Sequence, residues 1–223
     1  MIVSFSGIDG AGKSTQIGAL QEWLAKSGVK VTLLTFWDDV VAFPRFREFM
    51  SHAAFRGDKG IGSPEKPLER RDKNVTSWPV SIMRFGLYIA DAINLCRAVR
   101  RMRNNDTDVV IFDRYIYDEL ANLPLNQWIA RAFIRSLLKL VPRPDIAYLI
   151  DADPVAARTR KPEYPLDFLR KNREAYLTLS RLTGAITVIE PLPIEVAGQK
   201  VKEAFLQKLP VPEDGLSRLP VVP

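Results

Sequence analysis

Residues 7–15 read Gly7-Ile8-Asp9-Gly10-Ala11-Gly12-Lys13-Ser14-Thr15. Ahead of them Ile2–Ser6 is a short apolar run with strand character. Behind them Lys13–Ser27 carries Ile17, Leu20, Trp23 and Leu24 at helical spacing and stops at Gly28. A complete G-x-x-x-x-G-K-S match at a strand-to-helix junction is a phosphate-binding loop. Its glycines let successive backbone N–H groups turn inward around anionic oxygens at the start of a helix, where the helix dipole also favours negative charge. Gly7, Gly10, Ala11, Gly12, Lys13, Ser14 and Thr15 are therefore the candidate nucleotide-binding residues. Lys13 is placed to reach the outer phosphates, and the Ser14 hydroxyl to ligate Mg²⁺.

Outward from this loop the chain alternates strands and helices. Val29–Leu34 is a β-branched second strand, and Pro79–Arg103 has the pattern of a long helix. Asp108–Phe112 is a continuously apolar third strand, as expected when both faces of a sheet are covered. Helix is expected over Leu125–Val141, strand over Ile146–Ile150, and an N-cap with proline at the first helical position at Asp153-Pro154. A further helix over Pro165–Leu182 ends at Gly184; Ala185–Ile189 is a fifth strand and Ile194–Leu209 a last helix. Five strands alternating with helices predict an α/β fold, a doubly wound five-stranded parallel sheet flanked by helices. One domain over 1–209 is expected, with 35–78 as an irregular insert on the acceptor side and a loose proline-rich tail over 210–223.

With hydrophobic residues at 47% and charged residues at 26%, the composition is that of an ordinary globular chain. No apolar run approaches the ~20 residues that span a bilayer, so no membrane partner is expected. Met1-Ile-Val-Ser-Phe-Ser runs straight into strand character, so no secretory leader is expected either. The single cysteine, Cys96, cannot form an internal disulfide and suits a reducing cytoplasm. The net charge of +6 would suit nucleic acid, an anionic surface or a phosphorylated small molecule. Its densest cluster, Arg97, Arg100, Arg101 and Arg103, falls at a helix end, and nothing resembles an aromatic-basic platform. A nucleic-acid partner is therefore not expected.

The third strand ends in Asp113, placed to face Mg²⁺ across the site, followed by Arg114. Many ATPases carry a glutamate there to activate water; no D-x-x-G stands at this strand end, and there is no N-K-x-D for reading guanine. An arginine beside the phosphate loop instead favours holding a second anion.

With Gly7–Thr15 and Asp113-Arg114-Tyr115 in place, the chain resembles the thymidylate kinase family over roughly residues 1–205. The resemblance implies the P-loop kinase fold, ATP and Mg²⁺, phosphoryl transfer from ATP to a nucleoside monophosphate with dTMP as leading acceptor, and a homodimer. It also implies that Asp9 contacts the acceptor's 3′-hydroxyl and Arg114 its phosphate. Asp151–Lys161 and the following helix resemble the family's lid, about 158–166, with Arg158 and Arg160 as catalytic cations beside Lys13 and Arg114. On the acceptor side Tyr88 takes the place of a stacking aromatic, with Glu119, Asn122 and Arg47 as further contacts. Ala92 stands where the family carries a base-binding arginine, and Asn122 where it often carries an aromatic that crowds out a 2′-hydroxyl. The family's motif after strand two is absent, with Arg45 or Arg47 as stand-ins. Two alternatives stay open: a related kinase acting on another nucleotide, a nucleoside or a phosphorylated metabolite, and a nucleotide-binding protein without turnover.

Overall fold

The computed structural model describes residues 1–43, 78–103 and 106–209. The sheet is built from β1 (Ile2–Ser6), β2 (Val31–Thr35), β3 (Val109–Asp113), β4 (Ile146–Ile150) and β5 (Ile186–Ile189), all parallel, in the order β2-β3-β1-β4-β5. The helices are α1 (Lys13–Lys26), α2 (Trp78–Arg103), α3 (Ile116–Leu120), α4 (Trp128–Leu140), α5 (Pro154–Arg160), α6 (Leu166–Thr183) and α7 (Ile194–Lys208). The expected doubly wound sheet is thus present.

Alternation along the central strands explains why both faces are covered. Val109 and Ile111 pack with Val3, Phe5, Tyr148 and Ile150 on the side of α1 and α7. Val110 and Phe112 pack with Ala147 and Leu149 on the side of α2, α3, α4 and α6. Successive side chains point to opposite faces, so a strand that is apolar throughout feeds two cores at once. Ile17, Leu20 and Leu24 of α1 meet Ala197, Val201 and Phe205 of α7, with Trp23 edge-on to Phe205 at 5.9 Å.

Several boundaries differ from those read in the sequence, each for a local reason. Val29 is not in β2: its N–H bonds the Leu24 carbonyl, and Gly28 at φ +74° closes α1. The helix expected from Leu125 starts at Trp128, because Gln127 N–H first turns back onto the Pro124 carbonyl. Two elements were not anticipated. Phe36–Val40 forms a single π-helical turn, and α3 is only five residues long. The insert expected over 35–78 therefore surrenders Thr35 to β2, Phe36–Val40 to that turn and Trp78 to α2. Residues 41–43 follow that turn, and the rest of the insert, 44–77, with Arg45, Arg47 and His52, lies outside the described residues, as does the tail expected over 210–223. Asp153 caps α5 as expected, its Oδ1 accepting from the N–H groups of Val155 and Ala156 at 3.0 and 2.9 Å.

Candidate active site

The sheet starts in its middle: β1 pairs with β3 on one side and β4 on the other. The crossover from β1 to β2 and that from β3 to β4 therefore run in opposite directions, and a crevice opens between the carboxyl ends of β1 and β3. The loop after β1 occupies it. Its shape depends on glycine at two close approaches. A Cβ on Gly7, at φ +143°, would lie 2.5 Å from the Ile150 carbonyl oxygen of β4; one on Gly10, at φ +81°, would lie 2.2 Å from the Ala157 oxygen of α5. The loop is thus wedged between the end of β4 and α5, and only glycine fits at both contacts.

Lys13 is buried, and its ammonium donates to the carbonyls of Gly7 and Ile8, both at 2.9 Å. Burial, and then the neighbouring Arg114 cation, lower its pKa to about 8. Ser14 and Thr15 are exposed at the first turn of α1. Asp113 ends β3, level with Phe5 of β1 and Thr35 of β2, and its charge acts on both Lys13 and Arg114.

Arg114 follows Asp113 with φ +70°, a left-handed conformation that costs an arginine about 1 kcal/mol or more. Its N–H donates to the Phe5 carbonyl at 2.9 Å, which ends the strand and turns the side chain back over the loop. Nη2 donates to Asp9 at 2.6 Å and Nη1 to Asp118 at 3.1 Å. Burial works against the charge, but the surrounding oxygens of Tyr176, Asp118, Asp9 and Asp113 outweigh it and hold the pKa above the ordinary arginine value. Asp9 of the loop and Arg114 are therefore joined in one charged cluster.

Two further members of this cluster carry no motif of their own. Asp118, on α3, accepts from Ser6 Oγ at 2.6 Å, the Tyr115 N–H at 3.0 Å and the Tyr176 hydroxyl at 2.7 Å as well as from Arg114. Tyr176, on α6, is buried; burial and then the Asp118 carboxylate push its hydroxyl well above the usual phenol range, so it stays a donor. The one signal for Asp118 was an acid four residues after Arg114. For Tyr176 and Ser6 no sequence spacing links them to it.

The other expected residues fall as follows. Arg160 donates from Nε to the Gly10 carbonyl at 2.8 Å, so the end of α5 touches the phosphate loop, while Arg158 is half-buried on the same helix. The lid expected over about 158–166 is the last turn of α5, the connection 161–165 and the start of α6. Arg173 of α6 forks onto Asp151 at the end of β4, both bonds 2.7 Å, and so ties the helix after the lid to the sheet. Tyr88 and Ala92, expected at the acceptor, are 3% and 5% exposed on one face of α2 and belong to a core cluster. Glu119 is buried on α3. The Asn122 amide donates back to the Asp118 carbonyl at 3.0 Å, and the Arg84 guanidinium donates to the Asn122 carbonyl at 3.1 Å.

No family model matches the chain. It is 28% identical over 214 residues to a probable thymidylate kinase of Methanosphaera stadtmanae, covering 94% of this chain and 99% of that relative. A thymidylate kinase of Bifidobacterium longum subsp. infantis is 27% identical over 190 residues, 81% of this chain and 74% of the relative. The crystal structure of thymidylate kinase from Ehrlichia chaffeensis superposes with a TM-score of 0.58 at 21% identity, over 92% of this chain and 98% of that one, and so shares the fold. The resemblance carried by Gly7–Thr15 and Asp113-Arg114-Tyr115 is borne out along nearly the whole chain.

Proposed function

We propose that this chain is a nucleoside monophosphate kinase of the thymidylate kinase type, passing the γ-phosphoryl of ATP to dTMP to give dTDP. The observation that carries the reading is the convergence of Lys13, Arg114 and Asp9 at the carboxyl end of β1, with Arg160 on the loop from the far side. Phosphoryl transfer of this kind asks for positioning and charge stabilisation rather than a protein base, since the acceptor is itself an anion. Loop amides and Lys13 hold the donor phosphates. Lys13 leaves the carbonyls of Gly7 and Ile8 to do so, exchanging two neutral acceptors for charged ones. Arg114 holds the acceptor's phosphate, Asp9 its 3′-hydroxyl, and Arg158 and Arg160 close over the developing charge and exclude water.

Among the described residues no three His, Cys, Asp or Glu side chains gather as a self-sufficient metal cage. The exposed Ser14 hydroxyl and the half-buried Asp113 carboxylate suit Mg²⁺, which retains waters and phosphate oxygens as ligands. When bound it neutralises phosphate charge. No helix among the described residues is long and apolar enough to cross a membrane, and with Cys96 as a free thiol we place the enzyme in the cytoplasm, acting on a free nucleotide rather than a nucleic acid. We also infer a homodimer. Ile82, Gly86, Ile89 and Ile93 recur along one face of α2, and the isoleucines are 51%, 46% and 48% exposed, an apolar stripe that a second copy would cover. Sedimentation at micromolar concentration should show the dimer, and Ile89→Lys should dissociate it.

The decisive assay is a panel of nucleoside monophosphates with Mg-ATP, read as ADP release. Turnover of dTMP is expected; turnover of a nucleoside or a sugar phosphate in place of every monophosphate would move the assignment to a related kinase. That second reading draws on Ala92 and Asn122, which offer the base edge and the 2′ position none of the family's usual contacts.

A further inference from the structure

Arg114 is gripped by two carboxylates that are not equivalent. The Asp9 side chain is 14% exposed and lies in the phosphate loop; that of Asp118 is 1% exposed. A carboxylate offers about four lone-pair positions, and Asp118 has four donors on them. Oδ1 receives Arg114 Nη1 and the Tyr176 hydroxyl, and Oδ2 receives Ser6 Oγ and the Tyr115 N–H. Those donors come from the end of β1, the turn after β3 and α6. One side chain thus joins the strand that feeds the phosphate loop, the acceptor-side arginine and the helix that follows the lid.

We propose that Asp118 is a positioning residue that holds the Nη1 edge of Arg114 fixed, so that the Nη2 edge alone exchanges Asp9 for the phosphate of the acceptor. The energetics of the two contacts set this order. Moving Asp118 would orphan three buried donors, Ser6, Tyr115 N–H and Tyr176, and each orphan loses its full desolvation compensation. Moving Nη2 from Asp9 to a phosphate oxygen replaces one charge-assisted bond with another. The exchange also releases an Asp9 oxygen for the acceptor's hydroxyl, so acceptor phosphate and sugar are recognised by one rearrangement. The left-handed backbone of Arg114 fits this role: a strained residue persists where its surroundings over-determine it, and Asp118 supplies that determination. The inference rests on the monophosphate kinase reading for the identity of the incoming anion, but not for the anchor.

Asp118→Asn keeps the shape and removes the charge. It should raise the acceptor's KM by about tenfold or more while the KM for ATP stays within about twofold, the signature of lost acceptor binding. In an Arg114→Ala background the same substitution should change the acceptor's KM by less than about twofold, because Asp118 acts through the arginine. The anchor has its own readout. Rotation about the Arg114 Nε–Cζ bond, followed by ¹⁵N–¹H NMR, should be slow in the wild type and averaged in Asp118→Asn. Equal loss for both substrates, or a fall in melting temperature with unchanged KM and slow rotation, would overturn the proposal. If Asp118→Asn does not fold, Tyr176→Phe takes its place: loss of one donor should raise the acceptor's KM about threefold, and no change would overturn it. If the wild type turns over no monophosphate, the functional reading fails, and the rotation of Arg114 still decides whether Asp118 anchors it.

Discussion

The phosphate loop and the cluster around Asp118 adjoin at the carboxyl end of β1, and they are built from different materials. The loop is a backbone device: Gly7 and Gly10 let main chain approach main chain, against Ile150 and Ala157. The Asp118 cluster is a side-chain device, gathering Ser6, Arg114 and Tyr176 from three distant parts of the chain. Backbone cradles tolerate little sequence change, since only glycine reaches those conformations. Side-chain clusters can be rebuilt with other residues. Under the proposed function donor chemistry should therefore be rigid and acceptor recognition open to drift, and the departures at Ala92 and Asn122 would lie on the second side.

The comparison breaks most sharply at Lys13. Lys13→Ala should leave the fold intact, by circular dichroism, and lower the rate of phosphoryl transfer about a thousandfold or more, because in the proposed mechanism Lys13 meets the charge that develops on the γ-phosphoryl. Wild-type turnover in the folded variant would refute the donor site. Next comes Gly10→Ala, whose Cβ would meet the Ala157 oxygen at 2.2 Å. The loop and α5 must separate, and kcat/KM for ATP should fall about a hundredfold; a variant indistinguishable from wild type would show that α5 is not seated on the loop.

A milder test uses pH. Lys13 in the ligand-free protein has a pKa of about 8 against 10.5 for an ordinary lysine. ATP needs the ammonium, so its Kd should rise as pH climbs through 8, by up to about tenfold per pH unit. Stability moves the other way. Between pH 8 and 10.5 the unfolded chain binds the proton that the folded chain has released, so this group favours folding increasingly across that window. Calorimetric titration and melting curves should both lose these trends in Lys13→Met. The smallest effect sharpens the acceptor side. If Ala92 stands at the base edge, as proposed, it offers no donor there, and dTMP and one other pyrimidine monophosphate should differ by no more than about tenfold in kcat/KM, about 1.4 kcal/mol. Strict preference for dTMP would mean that another residue reads the base.

Sequence reasoning reached the parts of the molecule whose signal is local. The loop, the five strands and the Asp153 cap each depend on residues within a few positions of one another. The parts it missed depend on encounters across the fold. Nothing in Tyr115–Leu120 marks α3, because the helix is buried on every side and shows no amphipathic period. The bond between Tyr176 and Asp118 joins residues that meet only after α6 packs on the sheet. At Val29 the strand pattern was overridden by helix-capping geometry around Gly28.

The central place of β1 also governs how the chain comes to be folded. β1 sits between β3 and β4, and its edge groups bond Asp108 and Asp145: the Met1 amine to the Asp108 carbonyl, and Ile2 N–H to the Asp145 carboxylate. At translation rates of about 5–20 residues per second, β1 waits on the order of ten seconds before its second neighbour exists. An apolar segment with both edges open for that time is a target for chaperones and for pairing with other nascent chains. Its partners' distance in sequence makes folding slow for a domain of this size. The arrangement that opens a crevice at one end of β1 thus leaves that strand dependent on neighbours made much later.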